Sequence, residues 1–269
     1  MAAAATAQPS HHWLPLFAAV LRSEFCKLRS VRSSIWALLA AVVFNVAAGA
    51  LLAIFLPGAL SAQDKAAIDA TRVSLGGLHL SQLAIGLLGV LVITSEYGTG
   101  MIRATLAAVP QRRLMLAAKT TVFAATALTT GIAACFAAYF AFQAFLPSGD
   151  SMRTSLSDPG VLRAVTGGGL YLTLLGLFGL GLGAVIRSSA GAVATLFGVL
   201  FVPSLIMTLL PQSWQDTIGP YLPLQAGETI YTVQQQTGTL GPWAGFGVFS
   251  LYTAAALAAG FLLIRHRDA

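Results

Sequence analysis

EYGTGMIRATLAAVPQRRLMLAAK, residues 96–119, is a basic, helix-like insert set between two stretches that carry no charge, and its reading decides the fold. No Asp, Glu, Lys or Arg occurs in 73–95 before it or in 120–149 after it. A helix needs about 20 apolar residues to cross a bilayer, so each flank is long enough. Within the insert Ile102, Leu106 and Val109 fall at i, i+4 and i+7 on one helical stripe, while Thr99 and Arg103 lie on other faces. Pro110 ends that helix, because it lacks an amide hydrogen and biases Val109 away from helical geometry. Arg112, Arg113 and Lys119 then crowd the start of the next apolar segment, where cytoplasmic positive charge belongs. By this physics alone the insert is either a contact device or an ordinary basic loop that fixes topology.

The same pattern repeats along the chain. Charge-free runs also cover 33–63, 164–186, 188–215 and 229–264. Hydrophobic residues make up 57% of the chain, charged residues 9%, and the mean hydropathy is +0.79. Soluble domains carry about 25% charged residues, so the composition predicts a membrane protein. The expected architecture is all-α, with spans at 33–56, 78–95, 120–146, 164–186, 191–210 and 244–264 in a single domain over 13–269, after a disordered 1–12. The net charge of +6 does not point to nucleic acid, since the basic residues flank apolar runs. With the N-terminus inside, the cytoplasmic face receives Arg22, Lys27, Arg29, Arg32, Arg103, Arg112, Arg113, Lys119, Arg187, Arg265 and Arg267. The outer face receives only Lys65, Arg72, Arg153 and Arg163. Both termini are therefore expected in the cytoplasm.

Residues 13–30, WLPLFAAVLRSEFCKLRS, predict an amphipathic helix on the membrane surface. Trp13, Phe17, Val20, Leu21 and Leu28 share a face, with Arg22 and Arg29 roughly opposite. Glu24 lands inside the apolar stripe, so either the helix is interrupted near Pro15 or Glu24 meets a cation, because an unpaired buried carboxylate is too costly. The first span is expected to end at Pro57-Gly58. Span four is glycine-rich, and Gly179 and Gly183 form a GxxxG pair suited to close helix contact, within the chain or at a subunit interface. Pro203 predicts a kink in span five. Residues 211–243 are too apolar for a plain loop and too broken to span, which predicts short re-entrant helices.

Chemical motifs are few. SLGGLHLSQ, residues 74–82, superficially resembles an ATPase signature, but it sits at the edge of an apolar run and no G-x-x-x-x-G-K-[ST] loop occurs in the chain. The four histidines have no metal-ligand spacing, and the two cysteines, Cys26 and Cys135, do not make a disulfide framework. No nucleophilic triad or carboxylate pair is arranged for catalysis. A proton-coupled carrier usually places a carboxylate or a basic group within the membrane, and the only such group in the six runs is His79, near an outer boundary. Asn45, Gln82, Thr129, Thr130 and Gln143 are candidates for hydrogen bonds between helices. An energy source outside the chain fits this charge map better than ion coupling.

Three segments carry a family resemblance. L-x-S-E-F-x-K-L-R-S-V-R-S at 21–33, SEYGTGMIRATLAAVPQRRLMLAAK at 95–119 and the terminal RHRDA resemble ABC-2 type transporter permeases of actinobacteria, over essentially the whole chain. The resemblance implies a multi-pass subunit of the bacterial plasma membrane, without ATP or magnesium of its own. It implies a cytoplasmic ABC ATPase partner that binds both, and a second permease subunit in the same lipid bilayer. Thr99, Gly100, Ile102, Arg103, Leu106, Val109, Pro110 and Arg112 would then form the coupling helix on the ATPase. Glu24, Lys27, Leu28, Arg29 and Arg32 would belong to the connecting helix. The resemblance implies ATP-driven export of a drug, antibiotic or other amphipathic compound; the other reading is a regulatory or structural membrane subunit of such a complex. Glu96 and Glu24 are expected to pair with cations among Lys27, Arg29, Arg32 and Arg103.

Overall fold

The computed structural model describes residues 13–98, 100–101, 111–235 and 238–266, with side chains from Leu16 to Ile264. The expected disorder of 1–12 therefore lies outside the described residues. Among the described residues six helices are long and apolar enough to cross a membrane. After the surface helix α1 (Trp13–Ser30) come α2 (Arg32–Ala59), two short helices α3 (Ala62–Ala67) and α4 (Ala70–Ser74), and the second long helix α5 (Leu78–Gly98). Then follow α6 (Arg112–Phe145), α7 (Val161–Ile186) and α8 (Ser189–Met207). Two short helices, α9 (Gln212–Ile218) and α10 (Pro223–Glu228), precede the last long helix, α11 (Pro242–His266). No strand occurs among the described residues.

The helices outrun the apolar stretches that announce them. α6 starts at Arg112, eight residues before the expected boundary, because arginine, leucine, alanine and lysine all favour helix and nothing between 112 and 119 breaks it. Its 34 residues thus carry Lys119 inside a continuous rod. α2 likewise corrects the expected stop at Pro57: the proline lies in the last turn, buried, and the helix ends at Ala59. Near a helix end the proline forfeits one backbone hydrogen bond and disrupts little beyond it. α8 ends at Met207, three residues before the expected boundary, and its exit passes through tight turns in which Leu209 N donates to Ile206 O at 3.0 Å. Pro203 lies inside it.

α7 is the central helix. Of its 26 residues 17 are buried, packed chiefly against α5, α6 and α11. Small residues allow this. A methyl group on Gly89 of α5 would sit 2.0 Å from the Gly176 carbonyl oxygen of α7, so the two backbones meet with no side chain between them. Gly179 faces the Gly86 carbonyl and Gly183 faces Ile93 and Val90, which places the GxxxG pair against α5 of the same chain. Tyr171, Tyr231 and Phe249 close the far end of this core with ring centroids 5.5–5.7 Å apart.

The segments between spans are structured. Ser61 and Asp64 cap α3 reciprocally, and Asp69 caps α4 by accepting from Arg72 N at 3.0 Å. The second oxygen of Asp69 accepts from Val233 N at 2.6 Å and Gln234 N at 3.0 Å, tying this loop to the one before α11. Residues 212–231 form α9, α10 and two 3-10 turns, with Ala226, Ile230 and Tyr231 buried against α7 and α11. That agrees with the expectation of short, broken helices in this region.

Candidate functional site

Charge gathers where α1, the end of α5 and the start of α6 meet. On α1, Val20, Glu24, Lys27 and Leu28 follow helical spacing along the face turned to the bundle, and Val20 and Glu24 are buried. The helix is uninterrupted, so Glu24 enters the packed face and needs a partner. It finds two. Lys119 Nζ donates to Glu24 Oε2 at 2.6 Å, and Lys27 Nζ donates to Glu24 Oε1 at 2.7 Å.

The same lysines hold Glu96. Lys119 Nζ donates to Glu96 Oε1 at 2.8 Å and Lys27 Nζ to that same oxygen at 3.2 Å. Glu96 and Lys119 are the first charged residues on either side of the insert, one directly after 73–95 and one directly before 120–149. Antiparallel neighbours that leave their apolar runs at one end of a bundle bring such boundary residues to similar depth. Lys119 retains 3% of its side-chain exposure, Glu24 5% and Glu96 7%, whereas Lys27 keeps 31%. Two carboxylates and two ammonium groups thus form a hub linking three helices.

Burial pushes the Glu24 carboxyl up, but Lys119 and Lys27 outweigh it and hold the group below the ordinary glutamate value. Burial likewise works to lower the Lys27 ammonium, and the carboxylates of Glu24 and Glu96 reverse this and raise it. Both groups are therefore held in their charged forms. This arrangement suits mechanical connection better than acid–base chemistry, which needs a group poised near neutral pH. Among the described residues no group of three or more His, Cys, Asp or Glu could hold a metal.

No protein-family model and no curated protein matches the chain. The site accordingly rests on its own geometry. Of the expected partners for the two acids, Lys27 is in place and Arg103 lies outside the described residues, while Lys119, which was not among them, sits at the centre. Arg29 and Arg32 are exposed, and among the described residues neither pairs with Glu24 or Glu96, because both lie on the solvent side of the α1–α2 elbow. Leu28 packs partly buried beside the main core. Of the expected coupling segment, Thr99, Ile102, Arg103, Leu106, Val109 and Pro110 lie outside the described residues. Gly100 is exposed with φ +72°, a left-handed value that glycine adopts without strain. Arg112 Nη1 donates to the Ile264 carbonyl at 3.3 Å, joining the start of α6 to the end of α11.

Two further contacts at this end were not foreseen. Arg187 takes the left-handed conformation, φ 61°, in the two-residue turn between α7 and α8, and its guanidinium lies 5.1 Å from the Tyr97 ring centroid on α5. Ser189 Oγ donates to Thr94 Oγ1 at 2.9 Å beside it. The sequence signal for Lys119 was its position at the edge of an apolar run; for Arg187 it was a lone charge in a very short turn. Of the polar span residues, Asn45 Nδ2 reaches Cys135 Sγ at 3.7 Å and the Tyr171 hydroxyl donates to Gln82, both between helices. Gln143 bonds to Thr154 of the following loop at 2.9 Å, and Thr129 bonds back to Ala125 O of its own helix at 2.9 Å. Cys26 is an exposed free thiol and Cys135 a buried one.

Proposed function

We propose that the chain is the membrane-spanning half of an ATP-driven exporter in a bacterial plasma membrane, powered by a separate cytoplasmic ATPase. The observation that carries this reading is the position of the hub on both flanks of segment 99–110. Glu96 lies three residues before the segment and Lys119 two turns into the helix that follows it, and these two residues bond to each other and to Lys27 and Glu24 of α1. The hub therefore ties the helices on either side of the segment, α5 and α6, to α1, so a push that reaches either helix is shared by all three. The resemblance of 95–119 and 21–33 to ABC-2 type permeases supports the same assignment. On it, Ile102, Leu106 and Val109 grip the ATPase, α1 is the connecting helix, both termini are cytoplasmic and a second copy completes the transporter. The absence of a phosphate loop in the sequence assigns ATP and magnesium to the partner.

The test is ATP hydrolysis and association for the purified chain reconstituted with its ATPase, wild type against Leu106→Asp. A charge on an apolar anchor in a subunit contact costs about 2 kcal/mol or more, so association should weaken at least about tenfold and coupled hydrolysis should fall with it. Unchanged association and hydrolysis would remove the coupling role of 99–110. ATP-dependent flux of amphipathic compounds in the same vesicles separates transport from a regulatory role.

A further inference from the structure

Beside the hub lies a cavity of about 420 Å³ enclosed by the α1–α2 elbow, the last turns of α5 and the wall of α6. Leu28, Leu91, Val92 and Val122 give it apolar walls, while Glu24, Lys27, Glu96 and Lys119 make its charged end. One polar group on this lining is incompletely bonded. Glu96 Oε2 is buried and has no hydrogen-bond partner among the described residues, since both lysines bind Oε1. Ser34, 5% exposed, also lines the cavity. At the rim α2 begins with no side-chain cap from Val31, next to the exposed Arg29 and Arg32.

A buried carboxylate oxygen without a donor is costly, so an occupant that supplies an N–H is favoured. Uncapped helix amides and arginines favour phosphate oxygens. Apolar walls favour hydrocarbon. We propose that this cavity seats one phospholipid whose headgroup carries a primary ammonium. Its ammonium serves Glu96 and Ser34, its phosphodiester serves the start of α2, and its chains lie along Leu91, Val92 and Val122. The inference rests on the chain crossing a membrane and not on coupling to an ATPase, so each can fail without the other.

The experiment uses the full chain alone, delipidated in detergent and incubated separately with dioleoyl phosphatidylethanolamine or dioleoyl phosphatidylcholine, with bound lipid counted by native mass spectrometry. The ethanolamine lipid should be retained about tenfold better, the ratio given by one charge-assisted hydrogen bond that a trimethylammonium cannot form. Equal retention of the two, or retention of neither, overturns the proposal. Leu91→Trp, which fills the cavity from a wall outside the hub, should abolish retention while the thermal midpoint stays near wild type; a folded Leu91→Trp protein that still retains the lipid places it elsewhere. Dodecylamine, which has the ammonium and chain without the phosphate, should compete poorly. Competition at equal concentration would overturn the phospholipid assignment in favour of an amphiphilic amine.

Discussion

At the hub, four ionised side chains from three helices share one site, and Lys119 keeps only 3% of its exposure. At the opposite end charges meet two by two: Lys65 Nζ with Asp150 Oδ2 at 2.8 Å, and Arg72 Nη2 with Glu228 Oε2 at 3.0 Å, with Arg72 37% exposed. The distances are alike, so contact geometry does not separate the two ends. Sharing does, and burial separates the hub from Arg72–Glu228 but not from Lys65–Asp150, whose side chains keep 17% and 6% of their exposure. Each hub lysine serves both acids, and removing either leaves an uncompensated charge in a poorly solvated place. Arg72 can be lost to water at little cost, since water reaches what remains. The hub therefore behaves as one joint, and the far pairs as local pins on their loops.

The largest expected effect follows from breaking the joint at its most buried member. Lys119→Met keeps the unbranched apolar stem and removes the ammonium, leaving two buried carboxylates to share Lys27. Deleting one partner of a buried ionic network costs about 3–5 kcal/mol. For a chain of this size the thermal midpoint should fall by roughly 10 °C. Thermal unfolding in a fixed detergent measures it, and a fall of only a degree or two would mean that water already reaches the hub.

This division was partly legible in the sequence. Six charge-free runs displayed the six long helices, because no other segment of a chain this poor in charge can satisfy its backbone in lipid. Glu24 was conspicuous as an acid on an apolar stripe, and a cationic partner was one of two stated solutions. What the runs could not display was depth and rotation. Lys119 read as one of several boundary cations until α6 proved to begin at Arg112 and carry it inside a rod packed on α1. Nor does hydropathy rank the helices by burial. α7 and α8 are almost equally apolar, yet 17 of 26 residues are buried in α7 and three of 19 in α8. The difference comes from glycines, which let α7 be approached from several sides at backbone distance.

A smaller effect is expected at the other end of the same network. Glu24→Gln keeps the shape and some hydrogen bonding but leaves a surplus ammonium, at a cost of about 1–3 kcal/mol. It also sharpens the comparison through pH. The folded value of Glu24 lies below the ordinary 4.5, so its contribution is fully present above 4.5 and is lost as pH falls through the folded value. Lys27 is raised above 10.5, so its contribution is present below 10.5 and is lost as pH rises through the folded value. Wild type should thus show a plateau of thermal stability between these limits and an acid limb that Glu24→Gln flattens. An acid limb unchanged by the substitution would assign it to other carboxylates.

The smallest effect is expected at the far end. Arg72→Gln removes a partly exposed guanidinium from Glu228, which still has His79 Nδ1 at 3.6 Å and access to solvent. Exposed pairs contribute about 0–1 kcal/mol, so the thermal midpoint should move by no more than roughly 2 °C. Salt gives the control that decides the comparison. Raising ionic strength from about 0.15 to about 1 M shortens the Debye length from about 8 to about 3 Å, which screens an exposed pair and leaves a buried one nearly untouched. The difference between Arg72→Gln and wild type should shrink in high salt, and that between Lys119→Met and wild type should persist. If Arg72→Gln instead costs as much as Lys119→Met and resists salt equally, the far pair is a second joint. Both ends of the bundle would then be held rigidly, and a push on segment 99–110 would move the long helices as whole rods instead of pivoting them about a single end.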